Sequence, residues 1–187
     1  MPHRDLLLEQ LRLYRARHPD QRERAEFVRE FVTRHEDCFE RTCREGHVTG
    51  SAWILSPDHR QVLLTHHRKL GRWLQLGGHA DGDPDAFRVA LREACEESGM
   101  ARFRSLPADT DPAPLDVDVH RIPELPGEPS HLHLDVRFLL VAEPGQSLAV
   151  SEESHDLRWV DRDRLRQWID DESQLRMERH ARLRYAG

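Results

Sequence analysis

Glu93, Glu96 and Glu97 are the residues of this 187-residue chain whose types and spacing best suit chemistry. At about 100° per residue in a helix, the three carboxylates fall within an arc of roughly 100°. Phe87, Ala90, Leu91 and Ala94 repeat at i, i+3, i+4 and i+7 on the opposite arc, so the helix has one apolar and one acidic face. Like charges at these spacings repel by about 0.2–0.5 kcal/mol per pair, and the cluster therefore needs a counter-ion or open water. Hard carboxylate oxygens suit Mg²⁺ or Mn²⁺. Arg92, beside Glu93 and four residues before Glu96, is placed to hydrogen-bond a carboxylate and fix its orientation. An acidic run alone is also the signature of a solvated helix face. The glycines at fixed distance, Gly77-Gly78 ahead and Gly99 behind, argue against that reading.

In the pattern G-x5-E-x7-R-E-U-x-E-E-x-G-U, where U is bulky and apolar, Gly78, Arg92, Glu93, Glu96, Glu97, Gly99 and Met100 all fall in register. The segment 78–100 resembles the box of the Nudix hydrolase superfamily. It departs at two positions: Pro84 replaces the first glutamate, between Asp83 and Asp85, and Ala94 replaces the first bulky residue. Proline is sterically welcome in the first turn of a helix, so Pro84 fits a helix start but supplies no carboxylate. The resemblance implies an α/β/α sandwich around a mixed sheet, and hydrolysis of a diphosphate joined to another moiety, a small nucleotide-type molecule. It implies metal ligation by Glu93, Glu96, Glu97 and the main-chain carbonyl of Gly77, with Mg²⁺ or Mn²⁺ as cofactor. Glu93 or a downstream acid takes the proton from the attacking water. The family often recruits a further acid from a later loop, which makes Glu152 or Glu153 a candidate ligand or base. Two other uses of the scaffold stand beside hydrolysis. A diphosphate isomerase would rely on an early cysteine, yet none lies between His47 and Arg92. A non-catalytic nucleotide sensor would lose the metal acids, which are present.

The elements that must position these residues are readable in part. Residues 4–16 and 21–40 read as helices parted by His18-Pro19-Asp20, with Asp20 as an N-cap. This segment, 1–46, holds ten Arg and ten Asp or Glu, so it is neutral and forms an N-terminal helical extension that packs on the body or on a second copy in a homodimer. The hydrolase-like domain spans 47–187. Val48 to Leu55 and Gln61 to His66 read as strands around Ser56-Pro57-Asp58-His59, and Trp73 to Leu76 delivers the chain to the glycines. Further strands are expected at Leu115–Ile122, His131–Val141 and Asp156–Val160, with helices at Asp161–Ile169 and Ser173–Arg184. Pro107–Pro114 and Pro123–Pro129 read as loops.

Outside the box, His131, His133, Asp135 and Arg137 alternate with apolar residues and share one strand face. His133 and Arg137 are candidate substrate contacts if that face lines the cleft, and His79, directly after the glycine pair, is a stronger one. The basic cluster His66-His67-Arg68-Lys69 reads as a solvated hairpin tip. Cys38 and Cys43, with His35 and His47 nearby, lack zinc-finger spacing and read as packing residues, and Cys95 as a residue at the edge of the metal helix. A net charge of −6 excludes a general attraction for nucleic acid, and no apolar run reaches membrane-spanning length. A cytoplasmic protein is the expectation.

Overall fold

Strand β1 (Gly46–Leu55) is buried at every residue, so both its faces must be covered. The computed structural model describes residues 2–105, 113–124, 127 and 129–185. β1 runs parallel to β7 (His131–Ala142), from Gly46↔Leu132 to Leu55↔Val141. Its other edge takes β4 (Leu76–His79) antiparallel at the middle and β2 (Gln61–His67) at the end. β2 also pairs with β3 (Arg72–Leu74) and β8 (Ser154–Asp161). β6 (Asp116–Ile122) covers the first half of β7, and β5 (Phe103–Ser105) covers its end. The product is a mixed eight-stranded sheet.

Strand alternation divides the sheet between two helical layers. Ala52, Ile54, Phe138 and Leu140 pack with Ala86, Val89, Ala90 and Ala94 of α3 (Ala86–Ser98). Trp53, Leu55, Leu139 and Val141 pack with Leu175, Met177 and Ala181 of α4 (Glu172–Tyr185) on the other face. This is the expected α/β/α sandwich. Two further helices, α1 (Pro2–Arg17) and α2 (Arg22–Arg34), contribute Leu7, Leu11, Tyr14, Val28 and Val32 to the same core as α3. No helix among the described residues is long and apolar enough to cross a membrane.

Several local expectations are corrected. α2 stops at Arg34 rather than at 40, because His35 is extended (φ −105°, ψ 111°) and the following turns bury Cys38, Phe39 and Cys43. That descent is tied to the sheet where Val48 N–H donates to the carbonyl of Cys38. Asp20 caps nothing; it lies in a 3₁₀ turn, Pro19–Gln21, and α2 begins without a side-chain cap. Residues 162–167 are likewise 3₁₀ and not α-helical. Pro84 lies outside α3, not in its first turn, because the cap is Asp85, whose side chain accepts from the N–H groups of Phe87 and Arg88. Of the expected loops, 107–112, 125, 126 and 128 lie outside the described residues.

Candidate active site at the glycine turn

α3 is built to aim its acids at β4. Asp85 fixes its start, and Gly99 ends it in the left-handed conformation (φ 72°), where a side chain would be strained. Its apolar face is clamped on β1, so the acidic face meets the edge strand carrying Gly77-Gly78-His79. A Cβ on Gly78 would lie 2.5 Å from the carboxyl carbon of Glu93, so only glycine lets this carboxylate approach the strand. The backbone N–H of Gly77 donates to Glu97 Oε1 at 3.1 Å. One Arg92 nitrogen reaches both Glu93 Oε1 and the carbonyl of His79, each at 2.7 Å.

The electrostatics are strained by design of the residue types. Burial pushes the Glu97 carboxyl up to about 8, reinforced by the charges of Glu93, Glu153 and Glu96 and only partly offset by the Gly77 N–H. Burial also raises Glu93, against Arg92, with Glu96 and Glu153 adding to the rise. Glu153, from the loop before β8, therefore lies within electrostatic reach of both box acids. A cation among four carboxylates would relieve both desolvation and repulsion, and oxygen-only donors fit Mg²⁺ or Mn²⁺.

A second polar group gathers around the next residue of β4. β1 and β7 place His47 directly opposite His133, and β4 places His79 opposite Thr49, two residues along the same face of β1. The His79 and His133 rings are 5.0 Å apart, edge to face, and His47 lies 5.1 Å from His79 and 5.0 Å from His133. His131 stands 4.8 Å from His47. In the sequence His47 stands near Cys38, Cys43 and His35. In the fold its ring meets the histidines and keeps only a backbone contact with Cys43, while His35 and Asp37 come near the Cys43 sulfur. Parallel pairing with a strand 86 residues away carries no local signal, so the histidine alternation at 131–133 was the one available hint.

Farther along β7 the polar face is internal. Arg137 is 2% exposed and donates to Asp135, Asp116 and Asp118 and to the carbonyl and hydroxyl of Ser173. Arg176 bonds the same two β6 aspartates, and Tyr14 of α1 donates to Asp116. Arg137 is thus committed to the scaffold and away from the acids. Glu96 is exposed on α3, and Glu152 is exposed beside Glu153. Two surface cavities, about 380 and 430 Å³, are lined by none of the box acids.

A family model for the NUDIX domain matches residues 46–180. The chain belongs to the NUDIX family. It is an enzyme of the Nudix hydrolase class. Its fold is similar to that of a NUDIX-family hydrolase from Clostridium perfringens (20% identity, 75% of this chain and 97% of the other, TM-score 0.59). A C. elegans Ap4A hydrolase binary complex matches with 16% identity over 75% of this chain and 98% of the other, also at 0.59. The NUDIX domain of Shewanella oneidensis NrtR complexed with ADP ribose matches at 17% identity, 74% and 87% coverage and a TM-score of 0.53. A search of curated protein sequences finds no match.

Proposed function

We propose that this Nudix enzyme hydrolyses a diphosphate linkage in a small nucleotide-type molecule, with Mg²⁺ or Mn²⁺ held by Glu93, Glu96, Glu97 and the carbonyl of Gly77. The observation that carries the reading is the convergence of Glu93 and Glu97 on the glycine turn, with Glu153 brought within electrostatic reach from a distant loop. When bound, the divalent cation supplies positive charge for the phosphoryl oxygens and acidifies water. The protein's own share is positioning. Arg92 fixes Glu93 against β4, and the Gly77 N–H fixes Glu97. Glu153 is assigned as the proton acceptor, since it stands outside the hydrogen bonds that lock the other two acids and is exposed to water. His79 and His133 border the same strand and are assigned to the substrate side of the cleft. Arg137, saturated with carboxylates, acts only by holding β6 and β7 together.

A nucleotide-type substrate is supported by the neighbours, an Ap4A hydrolase and a domain complexed with ADP ribose. The test is a panel of dinucleoside polyphosphates, nucleotide sugars, ADP-ribose and nucleoside triphosphates, each with Mg²⁺ or Mn²⁺. Turnover of at least one, abolished by chelator and by Glu97→Gln, is the expected result. Equal turnover by Glu97→Gln would remove the metal assignment.

A further inference from the structure

Buried imidazoles with unbonded nitrogens are costly, and this protein concentrates them in one place. His47 is 2% exposed, and its ring nitrogens are buried with only a loose contact to the Cys43 backbone; His133 Nε2 is buried without a hydrogen-bond partner. Each such atom forfeits a bond to water with little in return, so a ligand for the lone pairs is the natural explanation. One ring nitrogen from each of His47, His79 and His133 lies within 4.8 Å of the others. Nitrogens sharing a tetrahedral ion at about 2.0–2.1 Å stand roughly 3.3 Å apart, so modest χ rotation completes the set.

We propose that His47, His79 and His133 form a second metal site, separate from the acid-lined one, for a borderline-soft transition dication of the Zn²⁺ class. The donor sets of the two sites sort the metals. Imidazole nitrogen suits zinc, cobalt, nickel or copper, whereas carboxylate and carbonyl oxygen suit magnesium or manganese. Neutral imidazole is the form that ligates, and burial of the His47 ring and of His133 Nε2 favours it. The backbone supports the set. His47 and His133 are locked in register by the central parallel pair, and the carbonyl of His79 is gripped by Arg92. His131, held by its Nδ1–H to the carbonyl of Pro129, stacks on His47 and buttresses that ring. Three protein ligands leave a fourth position for water or a substrate oxygen, as in sites where zinc does chemistry rather than hold a fold.

The site does not depend on the hydrolase reading, and the test keeps the two apart. Full-length protein stripped by chelator is dialysed against Zn²⁺ in a large excess of Mg²⁺, which occupies the carboxylates. One Zn²⁺ per chain is expected in the wild type and in Glu97→Gln, with affinity at least tenfold weaker in His79→Gln and His133→Gln. Circular dichroism establishes that each variant is folded. X-ray absorption at the zinc edge of the wild type gives a readout without substitution, and three nitrogen scatterers at about 2.0–2.1 Å are expected. No zinc retained under Mg²⁺, a wild-type spectrum dominated by oxygen, unchanged affinity in both histidine variants, or loss of zinc in Glu97→Gln would each overturn the assignment.

Discussion

Two clusters of acids in this protein are treated in opposite ways. Asp116, Asp118 and Asp135 are met by Arg137 and Arg176, supplemented by Tyr14, Thr49 and Ser51. Burial raises Asp116 and Asp118, but hydrogen bonds from His180 to Asp116 and from His120 to Asp118, with the two arginines, hold both below the usual carboxylate range. Among Glu93, Glu96, Glu97 and Glu153, Arg92 pairs with Glu93, and burial raises Glu93 and Glu97. The first group is complete without any added ion and serves the fold. The second is incomplete by itself, which is what a cation-binding site requires before the cation arrives.

The comparison can be broken most forcefully at Arg137. Arg137→Leu should destabilise the protein by about 3–5 kcal/mol, because three buried aspartates lose their shared partner; denaturant melts would check it. A loss below about 1 kcal/mol would mean the network is not the scaffold described above. Glu97→Gln should do the reverse. Turnover should fall on the order of 100-fold, about 2.7 kcal/mol of transition-state stabilisation, while metal-free stability near pH 8 stays equal or rises, since a repelled charge is removed.

A pH titration sharpens the contrast. Glu97 binds its proton more tightly folded, at about 8, than unfolded, near the ordinary value of 4.5, so its burial costs nothing below 4.5. Metal-free protein should lose stability as pH rises from about 4.5 to about 8, and Mg²⁺ should restore it. The depressed Asp116 and Asp118 have the opposite sign. Their contribution is present above the normal aspartate value of 3.8 and is lost on acidification below it, with or without Mg²⁺. Thermal melts across pH, with and without Mg²⁺, would separate the two; a Mg²⁺-independent profile above pH 5 would contradict the assignment. The smallest effect is expected at the helix start. Asp85→Ala should cost about 1 kcal/mol through loss of the cap, and Asp85→Asn a few tenths. Neither Asp83 nor Asp85 should greatly alter the Mg²⁺ requirement, because Asp83 is paired with Arg88 and Asp85 is bonded to Phe87 and Arg88. A severalfold rise in the Mg²⁺ needed by Asp85→Asn would place that acid at the metal instead.

The sequence by itself determined the acidic helix, its glycine turn and the alternating strand at 131–138, because each is set by the 3.6-residue or two-residue period of a single local element. The box register also pairs Glu93 with Gly78, and the fold brings these two together. Helix ends were less legible. α2 stops at Arg34 because burying Cys38 and Phe39 outweighs continued helix, and α3 starts at Ala86 because the Asp85 cap fits there. Only the tertiary structure decided that Arg137 faces three aspartates, that Glu153 comes within electrostatic reach of Glu93 and Glu97, and that His47 meets His133. These contacts join strands and loops far apart in the chain, and their register is fixed by the shared burial of whole sheet faces, a quantity that no short window of sequence contains.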